Sequence, residues 1–204
     1  VLPDVTGLLD IEVDGLVDAV APKPYLITAG AALAHADLTD QHYFGLSVLV
    51  PAEVAALTYR SQTVNFFETD PDNIWGWVDE SGPRYARPER ALLDALNHPR
   101  YGVSLTQCVD ALIRAEARDG AFLEELFAAV SRYGTRGHGA RAAARRVGLV
   151  VERLFGPSAA APYRDLVGPN RSAVLLRPGG SREGSVDRTW RVVVNAILEP
   201  ETLR

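Results

Sequence analysis

The spacing of apolar and polar positions divides the chain into a helical middle and strand-forming flanks. Apolar residues recur at intervals of three and four in four successive stretches, 92–96, 105–112, 122–130 and 140–155. This spacing predicts amphipathic helices. Pro99 ends the first helix, Ser104 is placed to cap the second, and Gly156 with Pro157 stops the fourth. Four helices in sequence predict a helical bundle over residues 88–167.

Period-two and continuous apolar runs predict the strands. Residues 43–50, 63–68 and 74–78 are rich in β-branched and aromatic side chains, which favours strands of a half-buried sheet. Turn-forming residues separate them at 70–73 and 80–83, so we expect neighbouring strands to be antiparallel.

The two ends of the chain complete this picture. Near the start, residues 14–20 have helical spacing, and Thr28 is placed to cap a second, alanine-rich helix over 29–36. Near the end, strands at 173–176 and 190–197 flank a glycine-rich loop and are expected to return to the sheet.

These elements predict an α+β fold: a mostly antiparallel sheet packed with a helical bundle, without a Rossmann-type parallel sheet. We expect one domain over residues 1–204, in which 43–86 and 172–197 form the sheet and 88–167 the helices.

Composition narrows the class of protein. The sequence has no apolar run long enough for a membrane span and no secretory signal pattern, which favours a cytoplasmic protein without a membrane partner. Cys108 is the single cysteine, so neither an intrachain disulfide nor a cysteine-based zinc site is expected. No phosphate-binding loop or nucleophile motif is present, and we expect neither a cofactor nor an enzyme.

Charge is distributed unevenly, with one basic segment in an acidic chain. Residues 132–153 hold six arginines against Glu152 alone and carry +5, while the remaining 15 basic and 25 acidic residues carry −10. Such a segment is typical of a surface that meets an anionic partner, either a phosphate backbone or an acidic protein. The candidate contacts for nucleic acid or a protein partner are Arg132, Arg136, Arg141, Arg145 and Arg146. A solvated helix face paired with Glu124 and Glu125 is the alternative.

Other residues are weaker candidates for chemistry. Glu68, Asp70 and Asp72 follow a predicted strand, where a metal-dependent nuclease or nucleotide-processing enzyme would place its carboxylates, although a solvated acidic turn explains them as well. The four histidines lack the three- or four-residue spacing that brings two imidazoles to one helix face, so no metal site is expected.

Four segments in order resemble a known family. Residues 25–28 (YLIT), followed by AALAHADLTDQ at 31–41, look like a characteristic segment of AbiEi-type antitoxins, which belong to type IV toxin–antitoxin systems of abortive infection. Residues 89–96 (ERALLDAL), 145–154 (RRVGLVVERL) and 190–195 (WRVVVN) are similar to later motifs of that family. Ala36 departs from the glycine that usually follows the family histidine.

The resemblance implies an antitoxin that is also a DNA-binding transcriptional repressor, with operator DNA and a nucleotidyltransferase-like toxin as partners. Such proteins have an N-terminal winged helix-turn-helix domain, and nothing like it precedes Val1. The chain also lacks methionine, so we expect that an N-terminal domain is missing and that the domain present neutralises the toxin and supports operator binding.

The resemblance also sharpens the prediction for individual residues. Arg90 and Asp94 are expected to form a buried structural pair without a catalytic role. Arg145, Arg146 and Arg153 coincide with a family core helix, so the fold is expected to hold them in part. Arg132, Arg136 and Arg141 are therefore the better candidates for partner contact.

Overall fold

The computed structural model describes residues 12–41, 43, 45–78, 82–134, 139–168 and 172–198. The helices are α1 (Val13–Val20), α2 (Ala29–His35), α3 (Pro88–Asn97), α4 (Leu105–Arg118), α5 (Phe122–Gly134), α6 (Gly139–Phe155), α7 (Pro157–Ala160) and α8 (Arg164–Val167). The strands are β1 (Leu26–Thr28), β2 (Gly45–Val50), β3 (Leu57–Tyr59), β4 (Gln62–Glu68), β5 (Val174–Leu175), β6 (Ser185–Asp187) and β7 (Val192–Val194). The chain has an α+β fold, as predicted, with no Rossmann-type arrangement.

The predicted helical middle is confirmed. Helices α3 to α6 cover the four periodic stretches and pack on one another. Ser104 caps α4 as expected: its Oγ accepts a hydrogen bond from the backbone N–H of Gln107, and the Gln107 side chain accepts one from the backbone N–H of Ser104. The bundle therefore follows from local signals in the sequence.

The first sheet departs from the prediction in its strand directions. Its order is β1-β2-β4-β3, and β2 and β4 are parallel neighbours rather than antiparallel ones. Strand β3, which was not predicted, runs back along the outer edge and pairs with β4 in a hairpin. Strand β3 runs opposite to β2, and the chain reverses again in the hairpin, so β4 runs in the same direction as β2. In the described part of the chain, three of the five strand pairings are antiparallel.

The prediction of a strand at residues 74–78 is wrong. The only bridge in this segment joins Trp77 to Ala86, within the residues that the structure describes. The guanidinium of Arg90 donates hydrogen bonds to the carbonyl oxygens of Asn73 and Trp75, at 2.9 and 3.4 Å. The carbonyl of Gly76 accepts from the backbone N–H of Arg87 at 2.7 Å. The carbonyl groups that a strand would offer to a neighbouring strand are therefore bonded by α3 and by the residue just before it.

The last strands do not return to the first sheet. They form a separate sheet in the order β5-β7-β6, in which β6 occupies part of the predicted loop. This sheet packs on α6 through β5 and β7.

Both faces of the first sheet are buried. Along β2, Leu46, Val48 and Val50 face a small core shared with α1, whereas Leu49 faces the large core of the helices. No helix among the described residues combines the length and the apolar character that a membrane span requires.

Candidate partner-binding surface

The arginines of the basic segment lie in different environments. Arg145 is only 1% exposed, and its Nη1 donates to the backbone carbonyl of Ser172 at 2.6 Å. Burial lowers the pKa of the Arg145 guanidinium, and the positive charges of Arg191 and Arg141 lower it further. A partner does not reach this side chain, so Arg145 leaves the set of predicted contacts.

Arg146 is also held by the fold. Its Nε donates to the carbonyl of Leu175 and its Nη1 to Oδ1 of Asn97, both at 2.7 Å. Burial lowers the pKa of Arg146 to about 10. The residue joins α6 to α3 and to β5, and its half-buried guanidinium is already engaged in these hydrogen bonds, which makes it a weaker candidate for contact with a partner.

Arg132 is exposed near the end of α5, but an aromatic ring holds its guanidinium. The guanidinium lies 4.4 Å from the ring centre of Trp75, and that of buried Arg90 lies at the same distance from that ring. Such cation–π contacts are favourable for the planar guanidinium. Arg132 is therefore accessible but oriented by the fold.

Arg141 is the exposed residue of the segment with the most basic surroundings. It lies near the start of α6, against the backbone of Gly168 at the end of α8. Arg191 is also exposed, and both Arg141 and Arg191 are close enough to Arg145 to lower its pKa. We call Arg141, Arg145 and Arg191 the arginine cluster. Arg136, another predicted contact, lies outside the described residues.

Arg191 was missed in the sequence because it is 46 positions away from Arg145. It belongs to the turn between β6 and β7 and has a left-handed backbone with φ of 54°. Neighbouring Trp190 is fully buried, and its Nε1 donates to Oε2 of Glu152 on α6 at 3.0 Å. This anchor on α6 brings Arg191 to the arginine cluster, and no local signal in the sequence indicates the contact.

The predicted structural pair is confirmed. Nε of Arg90 lies 3.0 Å from Oδ2 of Asp94, and both side chains are 2% exposed. Thr28 was predicted to cap α2, but its hydroxyl donates to the same Asp94 oxygen at 2.6 Å and makes no capping bond. Asp94 therefore joins β1 to α3.

The carboxylates of the alternative function do not form a site. Glu68, Asp70 and Asp72 are all exposed, and Oδ1 of Asp70 accepts from the backbone N–H of Asp72 at 2.9 Å, as in a capped turn. Among the described residues, no group of three or more histidine, cysteine, aspartate or glutamate side chains is arranged to hold a metal ion.

The histidines and the cysteine have structural surroundings where the structure describes them. His35 stacks on Tyr85 with ring centres 4.0 Å apart, and Nε2 of His98 lies 2.9 Å from the hydroxyl of Tyr133. Cys108 is buried in the core as predicted, and burial raises the pKa of its thiol to about 12. His42 and His138 lie outside the described residues.

Comparisons with known proteins support the fold alone. No protein-family model matches the sequence, and neither does any curated protein. The structure is similar to the crystal structure of the RV2827C protein from Mycobacterium tuberculosis, with a TM-score of 0.55 and 12% sequence identity. The similarity covers 88% of this chain and 65% of that protein, so this chain spans just under two thirds of its length.

Proposed function

We propose that this chain is a non-enzymatic antitoxin domain and a DNA-binding transcriptional repressor of a type IV toxin–antitoxin system. Its partners in this proposal are a nucleotidyltransferase-like toxin and operator DNA. The domain would neutralise the toxin and support the binding of the operator.

The observation that carries the proposal is that the four segments of the family resemblance contact one another. The first meets the second through the hydrogen bond from Thr28 to Asp94. The second helix, α3, meets the third through the bond from Arg146 to Asn97, at the C-terminal end of α3. The third meets the fourth where the ring of Trp190 packs on Gly148 and its Nε1 bonds Glu152. The four segments therefore lie in one connected core, as expected of segments from a single family domain.

The arginine cluster supports the DNA-binding half of the proposal. Arg141 and Arg191 are exposed beside a third guanidinium, and Arg141 lies in the first turn of α6, where the helix dipole adds positive potential. A phosphate backbone relieves the repulsion among such charges, and it releases condensed counterions as it binds.

The salt dependence of DNA affinity tests the DNA-binding half of the proposal. We expect the chain to bind DNA from upstream of its own coding region with an affinity that falls steeply with salt. The double variant Arg141→Gln, Arg191→Gln should weaken binding to all sequences alike and reduce the slope of log K against log salt by about 2. Fluorescence anisotropy over a salt series measures both quantities.

Arg60→Gln is the control for charge removal away from the cluster, because it removes one positive charge from an exposed turn between β3 and β4. An unchanged slope in the double variant, or the same loss in the control, would contradict the assignment of the DNA contact to the arginine cluster.

Co-expression tests the antitoxin half. The gene beside that of this chain should encode a nucleotidyltransferase-like protein that stops growth when expressed alone, and growth should return when this chain is co-expressed. This readout covers neutralisation by direct binding and by other routes. A neighbouring gene of another kind, or growth that stays arrested, would refute the antitoxin assignment.

A further inference from the structure

A pocket of about 520 Å³ opens between α1, α2 and the β3–β4 hairpin. Val13 and Leu46 of the small core are buried and contribute to its lining. The volume lies within the range of about 300–1,000 Å³ that is typical of small-molecule sites. Arg141 and Arg191 do not line this pocket, so the inference below is independent of the proposed DNA contact.

An aromatic stack forms one wall of the pocket. The imidazole of His35 lies parallel to the ring of Tyr85, with 4.0 Å between the ring centres and 4° between the planes. The hydroxyl of Tyr85 donates to Oδ2 of Asp14 at 2.9 Å, which holds the stack against α1. His35 is exposed and lines the pocket, so the outer face of its imidazole offers a surface on which a further flat ring can stack.

Small side chains leave room beside the imidazole. Ala31, Ala34 and His35 are three and four positions apart on α2, and all three line the pocket. Residues at this spacing share one face of a helix. A flat ligand can therefore lie over the two methyl groups while its ring stacks on His35.

The charged residues of the lining disfavour an anionic ligand. Two carboxylates, Glu12 and Asp14, outnumber the single arginine, Arg60. Burial raises the pKa of the Tyr85 hydroxyl, and the charges of Asp14 and Glu12 raise it further, so both carboxylates lie near the stack. The lining therefore suits a neutral ligand that carries hydrogen-bond donors.

Three polar side chains of the lining have hydrogen-bonding capacity to offer a ligand. Within the described ranges, the carboxylate of Glu12 and the amides of Gln41 and Gln62 form neither ion pairs nor hydrogen bonds. A carboxylate accepts from an N–H group, whereas an amide both donates and accepts. A nucleobase combines a flat ring with donors and acceptors on its edge.

We infer that this pocket binds a nucleobase that carries an exocyclic amine, with the base stacked on His35 and the amine donating to the carboxylate of Glu12. The base belongs to a free nucleoside or to an unpaired position of a single strand. Bases inside duplex DNA are paired and stacked and do not enter it, so this site is separate from the contact proposed for the arginine cluster.

Proton NMR of the whole chain with adenosine as the probe tests the stack. The ring current of the bound base should move the imidazole signals of His35 upfield. The signals of His98, whose ring contacts Tyr133 outside the pocket, should stay in place. Inosine has a carbonyl where adenosine has its amine and should bind about fivefold more weakly. Ribose alone should leave the His35 signals unchanged.

Two substitutions of His35 separate stacking from other contacts. His35→Ala removes the stacking surface and should lower the affinity for adenosine about tenfold. His35→Phe retains a flat ring and should keep the affinity within about threefold of the original. Because His35 is exposed, neither change should unfold the protein.

Glu12→Ala tests the contact with the amine. The variant should bind adenosine and inosine equally, because the acceptor that distinguishes them is gone. Glu12 makes no capping bond to α1, so its loss should leave the helix in place. Glu53→Ala is the matched control: it removes the same side chain from an exposed position outside the pocket and should retain the preference for adenosine.

A comparison of adenosine with a single-stranded trinucleotide of adenine identifies the source of the base. The comparison uses the double variant Arg141→Gln, Arg191→Gln, in which phosphate binding at the arginine cluster is weakened. Tighter binding of the trinucleotide would assign the pocket to an unpaired base, and tighter binding of adenosine would assign it to a free nucleoside. Both results support a nucleobase site, whether or not the chain proves to be an antitoxin.

Three results would overturn the inference. The first is no shift of the His35 signals with adenosine at about 10 mM. The second is an unchanged affinity for adenosine in His35→Ala. The third is binding of glucose as tight as that of adenosine, which would assign the pocket to a sugar.

Discussion

Arg90 on α3 is buried and Arg146 on α6 is half-buried, and the two arginines differ in what balances their charge. Arg90 pairs with the carboxylate of Asp94 and also donates to two backbone carbonyls. Arg146 has hydrogen bonds to a backbone carbonyl and to the neutral Asn97 side chain, and its pKa is lowered to about 10.

The difference reflects what each arginine joins. Arg90 and Asp94 connect α3 to β1 and to the 73–75 segment, and the carboxylate of Asp94 supplies a fully charged acceptor at this junction. Arg145 and Arg146 connect α6 to the segment before and along β5, where they bond backbone oxygens of Ser172 and Leu175. The first junction, between α3 and β1, therefore depends on an ion pair. The second junction, between α6 and β5, depends on neutral hydrogen-bond acceptors and on the fit of Trp190 against α6.

The largest expected effect comes from replacing each arginine by methionine in a separate variant. Arg90→Met leaves the buried Asp94 carboxylate without its cation and should lower the free energy of unfolding by about 3–5 kcal/mol. Arg146→Met leaves only neutral acceptors and should cost about 1–3 kcal/mol. Urea unfolding followed by circular dichroism measures both. The double variant Arg90→Met, Asp94→Leu should recover much of the loss, and equal losses at the two sites would refute the comparison.

A smaller effect is expected where the second junction depends on shape. A Cβ added to Gly148 would overlap the ring of Trp190, which is fully buried. Gly148→Ala should therefore lower the unfolding free energy by about 1–3 kcal/mol through overpacking, although alanine favours a helix. Gly120→Ala is the control, because a Cβ there meets nothing within 4 Å. A stabilised Gly148→Ala variant would show that Trp190 does not pack closely on α6.

The smallest effect concerns a histidine beside the first junction. Burial lowers the pKa of His98 below its ordinary value of 6.5, against the attraction of Asp94. Between the lowered value and 6.5 the unfolded chain binds more protons than the folded one, so stability should fall as the pH drops below about 6.5. His98→Gln should flatten this part of the profile of unfolding free energy against pH, and His35→Gln, at an exposed position, should retain it. A profile that is the same with and without His98 would contradict this assignment.

The helices were predictable from the sequence because their signals are local. The capping pair at Ser104 and Gln107 and the stop at Gly156 lie next to the elements that they bound. Strands depend on distant partners, and the sequence is a weaker guide to them. Trp75 and Trp77 have strand-like residue types, but Arg90 uses the carbonyls of Asn73 and Trp75 from 17 and 15 positions away.

The candidate surface was predictable only in part. The excess of arginine was visible in the sequence, and so was the expectation that Arg145 and Arg146 belong to a core helix. The neighbour Arg191 was not visible, because the burial of Trp190 on α6 is what brings it to Arg145.

The sequence by itself determined the helical middle, the α+β class and the uneven distribution of charge, because periodicity, capping and composition act over a few residues. Only the tertiary structure decided which arginines are accessible and which strands are parallel. Those properties depend on contacts between residues far apart in the chain, where packing decides which groups water still reaches.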